Sequence, residues 1–130
     1  MNSTLDSWRP QVLSVLRIMV GLLFLQHGLV KMFGFPMAFP NPVPRFSLLW
    51  FAAAIEIVGG TLLIVGLFTR HVAFICSGLM AFAYFIGHSP RAFYPIQNGG
   101  NLAILYCFVF LYLFFAGPGP WSLDAKRSAA

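Results

Sequence analysis

Ser47–Phe68 reads SLLWFAAAIEIVGGTLLIVGLF, 22 residues holding a single charge, Glu56. About 20 predominantly apolar residues suffice for a helix to cross a bilayer. The stretch therefore predicts a transmembrane helix with an acid inside it. A charge at membrane depth costs about 2.5–3.5 kcal/mol on insertion scales, so such a residue is a functional-site hypothesis by default. Asp6 and Asp124 are the other acids of the chain, and both lie outside its apolar runs.

Composition agrees with a membrane class. The 130 residues are 59% hydrophobic and 8% charged, with a mean hydropathy of +0.82. A soluble domain carries roughly 25% charged residues. Net charge is +5, but the cations are scattered, apart from Lys126–Arg127. A nucleic-acid partner needs a continuous basic face, and none is visible. Cys76 and Cys107 each sit in an apolar run, outside any C-x-x-C or metal-ligand spacing. They read as small hydrophobes.

Working outward from Ser47–Phe68, three more apolar runs appear, at about 12–33, 72–87 and 102–116. The fold class expected is all-α, a four-helix transmembrane bundle forming one domain over 1–130. The first run is followed by His27, Lys31 and prolines, not by a small-residue cleavage site, and reads as a retained span. GFPMAFPNPVPR carries Pro36, Pro40, Pro42 and Pro44 and cannot continue a helix. Thr69–His71 reads as a tight turn between helices two and three. HSPRAFYPIQNGG separates helices three and four, with Asn101 placed to cap the fourth. Trp121 in GPGPW reads as an interface anchor.

An even number of spans puts both termini on one side. With the N-terminus inside, Arg9, Arg17, Arg70, Lys126 and Arg127 face Lys31, Arg45 and Arg91. The positive-inside rule then favours N-in, C-in, with the Pro-rich connector outside. At about 1.5 Å per residue, His27 lies roughly 10 Å and Glu56 roughly 14 Å below the outer helix ends.

Two constellations could carry chemistry. His27 and Lys31 are four apart, on one helix face. Glu56 is flanked at i−4, i−3, i+3 and i+4 by Ala52, Ala53, Gly59 and Gly60. Small residues let helices approach closely, which turns Glu56 inward. Gly21 and Gly28 supply a matching face on helix one. A Glu–His pair in such a place can accept and donate a proton, so Glu56 and His27 are the candidate catalytic groups. His27, Lys31, Glu56 and Asn101 are the candidate ligand-binding residues. His27, His88 and Glu56 have no metal-site spacing, and no metal is expected. Phosphate-loop, dinucleotide and serine-hydrolase signatures are absent.

LRIMVGLLFLQHGLVKMFGF, EIVGGTLLIVGLFTR, NGGNLAILY and GPGPWSLD, in this order, resemble the DoxX family of small bacterial membrane proteins. The matching positions are Arg17, Gly21, His27, Gly28, Lys31, Glu56, Gly59, Gly60, Gly66, Arg70, Gly99, Gly100, Gly117 and Asp124. The resemblance implies a four-helix bundle in the bacterial inner membrane, linked to quinone-reducing or oxidative-stress systems. One departure stands out: the family commonly places an acid directly after the Gly–Gly of helix four, where this chain has Asn101.

The function expected is an accessory or subunit of a membrane redox system, with an outward-opening pocket at His27, Lys31, Glu56 and Asn101. Phe24, Trp50 and Tyr84 would be its walls, and a quinone or small organic molecule its ligand. In that pocket Glu56 relays a proton, His27 binds the ligand and Lys31 attracts an anion. No cofactor ligands are encoded, so electrons would come from a partner protein or a bound quinone. Homo-oligomers are a further partner expectation, beside membrane lipid. The rivals are a non-enzymatic scaffold, in which the polar residues lock the bundle, and a small-molecule carrier.

Overall fold

The computed structural model describes residues 3–129, and all regular elements among them are helical. They are α1 (Ser3–Phe33), α2 (Leu48–Val65), α3 (Thr69–Ala83), α4 (Pro95–Asn98), α5 (Asn101–Ala116) and α6 (Leu123–Ala129). A π-helical turn at Tyr84–His88 and a 3₁₀ turn at Ser89–Arg91 prolong α3. Three stretches are long and apolar enough to cross a membrane: Ser3–Phe33, Leu48–Val65 and Thr69–Arg91. Asn101–Ala116 is apolar but shorter.

Each long helix buries a stripe at helical spacing. On α1 it is Ser14, Arg17, Val20, Gly21, Phe24 and Gly28. On α2 it is Ala53, Glu56, Gly59, Gly60 and Leu63. Val72, Ala73, Cys76 and Met80 of α3 meet Ala103, Tyr106, Phe110 and Leu113 of α5 in one core. Phe24 enters that core edge-on to Tyr106 and Phe110, with centroids 5.4 and 4.8 Å away. Phe24 is therefore a core residue rather than a pocket wall, a correction to the sequence expectation. Outside, Leu22, Val58, Phe74, Ile75 and Phe108 are exposed, as a lipid-facing surface requires.

The helices pack antiparallel in pairs. A Cβ built on Gly60 would lie 2.9 Å from the Gly21 carbonyl oxygen, and one on Gly28 would lie 2.7 Å from that of Ala53. Position 21 thus faces 60, and 28 faces 53, which fixes the α1–α2 register. On the other pair, the Ser77 hydroxyl donates to the Cys107 carbonyl at 2.8 Å, and Phe74 meets Phe114 at 5.2 Å.

Several boundaries differ from expectation. α1 begins at Ser3 and passes through Pro10, its eighth residue, where the missing N–H removes one rung of the hydrogen-bond ladder. The α2–α3 turn is Gly66–Phe68, and Thr69–His71 is the first turn of α3. Gly66 ends α2 at φ 71°, donating its N–H to the Leu62 carbonyl, the left-handed stop that glycine tolerates. Asn101 is the first helical residue of α5 rather than its cap, a place taken by Gly100. The Pro-rich connector is non-helical, as its composition requires.

Candidate functional site

Glu56 is 2% exposed. Its partner is Lys31, whose Nζ donates to Oε1 at 2.6 Å, with the lysine side chain 18% exposed. The register and the length of the lysine side chain permit the pairing. A helical Cα–Cβ bond tilts toward its own N-terminus. On antiparallel helices these tilts oppose: Lys31, near the end of α1, leans back along the helix, and Glu56 leans toward the start of α2. Gly28 makes the approach possible, because a Cβ there would meet the Glu56 Cβ at 3.0 Å.

This arrangement corrects the Glu56–His27 pairing expected from sequence. His27 is half-buried and meets the Tyr106 ring edge-on, with centroids 6.0 Å apart. Lys31 attracts an anion, but the anion is Glu56. The second carboxylate oxygen, Oε2, is buried and has no hydrogen-bond partner among the described residues.

Asn101 is exposed and makes no hydrogen bond to this pair. The asparagine that does structural work is Asn98, 2% exposed. Its side chain donates to the Tyr84 hydroxyl at 3.2 Å and the Ala92 carbonyl at 3.1 Å, and accepts from the Gly100 N–H at 2.8 Å. His88 Nδ1 lies 3.0 Å from the Asn98 carbonyl. Tyr84 and His88 thus fasten the turn before α5. Among the described residues no three His, Cys, Asp or Glu side chains converge as a metal site.

The far end of the fold holds a second polar network that sequence reasoning missed. Arg17 is fully buried. Its Nη1 donates to the Pro118 carbonyl at 3.1 Å and its Nη2 to that of Trp121 at 2.6 Å. The Trp121 N–H donates to Ser14 Oγ at 3.1 Å. Arg70 Nη1 donates to the Phe114 and Phe115 carbonyls at 2.8 and 2.6 Å, satisfying the end of α5. Asp124 accepts from the N–H groups of Phe68 and Thr69, both at 2.9 Å, so the cap of α3 comes from the start of α6. Burial tends to raise the Asp124 carboxyl, but hydrogen bonds from Thr69 and Phe68 and the nearby Arg127 outweigh it and hold it below its ordinary range. The available signals were a mid-span arginine and the GPGPWSLD ending, whose folding partners lie far away in sequence.

The Lys31–Glu56 contact occupies the place where the outward-opening pocket was expected. Two clefts lie elsewhere. One, of about 550 Å³, is bounded by Phe68–His71, Pro118, Asp124 and Arg127. The other, of about 350 Å³, is an apolar groove between α2 and α3.

Apolar helices of spanning length around buried ion-pairing groups define a helical membrane protein. The DoxX family model matches residues 12–89. The chain is 46% identical over 129 residues to an uncharacterized protein of Haemophilus influenzae, covering 95% of this chain and 96% of the relative. It is 28% identical over 135 residues to an uncharacterized membrane protein of Mycobacterium tuberculosis, covering 92% and 82%. This chain belongs to the DoxX family. The family match contains the Lys31–Glu56 pair and ends before the NGGN and GPGPWSLD segments. No solved structure matches the chain.

Proposed function

We propose that the chain is a four-span protein of the bacterial inner membrane, both termini cytoplasmic, serving as a non-catalytic accessory subunit of a membrane redox system. The observation carrying the non-catalytic role is the closure of Glu56 onto Lys31 at 2.6 Å, with Glu56 2% exposed. A buried carboxylate already paired holds helices in register; it is not presented to a substrate. The redox association rests on family resemblance. The orientation rests on the cation count, with Arg70, Lys126 and Arg127 at the inner end.

The test is mild extraction of the tagged protein in native lipid, with mass spectrometry of co-purifying proteins and small molecules, run beside Glu56→Gln. The expected result is a recurrent redox-enzyme partner retained by a less stable variant. A variant that keeps wild-type stability but loses a bound molecule would refute the structural role.

A second reading is a quinone-type ligand site that opens at the same place. It is favoured by the partnerless Glu56 Oε2 and by the half-buried His27 one turn from Lys31. It expects a co-purifying quinone that both Glu56→Gln and His27→Ala abolish.

A further inference from the structure

The cleft of about 550 Å³ lies where α3 begins and α6 packs. Arg70, His71 and Arg127 line it and are exposed. Asp124, also in its wall, directs its carboxylate to the Phe68 and Thr69 N–H groups. Arg70 spends Nη1 on the α5 carbonyls, while its Nη2 sits beside Gly117, where a Cβ would come within 2.8 Å. Arg127 is held over the Phe68 ring at 5.0 Å. Two positioned guanidiniums and an imidazole thus surround one open volume.

The apolar groove of about 350 Å³ follows the α2–α3 seam, between Phe51, Val58 and Leu62 on one side and Val72 and Ile75 on the other. Phe68, His71, Val72 and Ile75 fall at i, i+3, i+4 and i+7, on one face of α3. The groove therefore begins where the cationic cleft ends. From Leu62 back to Phe51 it runs about 16 Å at 1.5 Å per residue, close to one leaflet of a roughly 30 Å hydrocarbon core.

We propose that cleft and groove together bind one anionic glycerophospholipid, its phosphate among Arg70, His71 and Arg127 and one acyl chain along the α2–α3 seam. Guanidiniums pair well with phosphate oxygens through charge-assisted hydrogen bonds, and basic pockets at helix ends suit anionic headgroups. The adjoining groove selects a lipid over free phosphate, which would leave it empty. The site holds whichever side of the membrane this end faces.

The full-length protein, in detergent, is titrated with phosphatidylglycerol, phosphatidylcholine, inorganic phosphate or glycerol 3-phosphate and read by native mass spectrometry. Wild-type protein retains phosphatidylglycerol at least about tenfold better than phosphatidylcholine, the ratio one charge-assisted contact supplies. Arg127→Gln removes that preference and Arg127→Lys keeps most of it, which separates lost charge from lost fold. Ile75→Trp, filling the groove from a lipid-facing position, lowers retention of both lipids. Equal retention of the two lipids by wild-type protein, or an unchanged preference in Arg127→Gln, overturns the proposal. So does binding of inorganic phosphate or glycerol 3-phosphate as tight as that of phosphatidylglycerol, which would make the cleft a site for soluble phosphates.

Discussion

Removing Lys31 should cost more than removing Glu56, although the two share one contact. In Lys31→Met the apolar stem survives and the ammonium is lost. Glu56, 2% exposed on the third turn of α2, is left with Gly28, Ala53 and Gly59 around it and no cation. Leaving a buried charge unpaired costs about 3–5 kcal/mol. In Glu56→Gln the stranded group is Lys31, already 18% exposed and in the last turn of α1. A lysine there can swing outward and put its ammonium at the headgroups, so the expected cost is only about 1–2 kcal/mol, near that of one lost hydrogen bond. The double variant Lys31→Met/Glu56→Gln removes both charges and should recover part of the loss. The coupling from the double-mutant cycle should exceed about 1.5 kcal/mol, since the groups are in direct contact. The assay is unfolding in mixed micelles by graded SDS, followed by helical circular dichroism and tryptophan fluorescence. Equal costs for the two single variants, or additive costs in the double, would refute the argument that the pair is a buried lock with one mobile arm.

Three further outcomes follow from the packing and the distal network. Gly60→Leu forces a side chain against Gly21 and Leu25 backbone atoms 2.9 Å from its Cβ; it should destabilise by about 1–3 kcal/mol or more, read in the same SDS titration, while Gly78→Ala, with open space around it, should be nearly silent. Arg17→Met leaves the Pro118 and Trp121 carbonyls without their donors and should make the Gly117–Ser122 segment sensitive to limited proteolysis, with Arg17→Lys rescuing poorly because one ammonium cannot span both acceptors as the fork does. Asp124 is held below its ordinary range, so its contribution is complete above the unfolded value of about 3.9 and is lost as pH falls through the folded value; exchange protection of the Phe68 and Thr69 amides, relative to the intrinsic rate at each pH, should fall at that acid end, and Asp124→Asn should remove the pH dependence.

Much of the fold was legible in the chain because a bilayer leaves few options. Apolar runs of spanning length must be helical, since no water satisfies their backbone. The small residues beside Glu56 showed which way it faces. The partner of Glu56 was not legible. His27 and Lys31 lie on one face of α1, and the register alone brings His27 nearer the level of Glu56; only the folded structure shows the longer Lys31 side chain reaching back to it. Asn98 displaced Asn101 for a similar reason: the left-handed Gly99 folds the turn so that Asn98, rather than Asn101, reaches Tyr84 and the Gly100 N–H.

By itself, then, the sequence determined a helical membrane protein with a buried acid and glycine-lined helix faces, because hydropathy and side-chain size act locally and can be read residue by residue. Tertiary structure alone decided what the charges do. Arg17 finds acceptors 101 and 104 residues away, Asp124 caps a helix 55 and 56 residues before it, and Lys31 closes on Glu56 across 25. Such pairings depend on register and helix-end geometry, which no local pattern encodes. They pair the solitary acid of Ser47–Phe68 with a lysine from another helix.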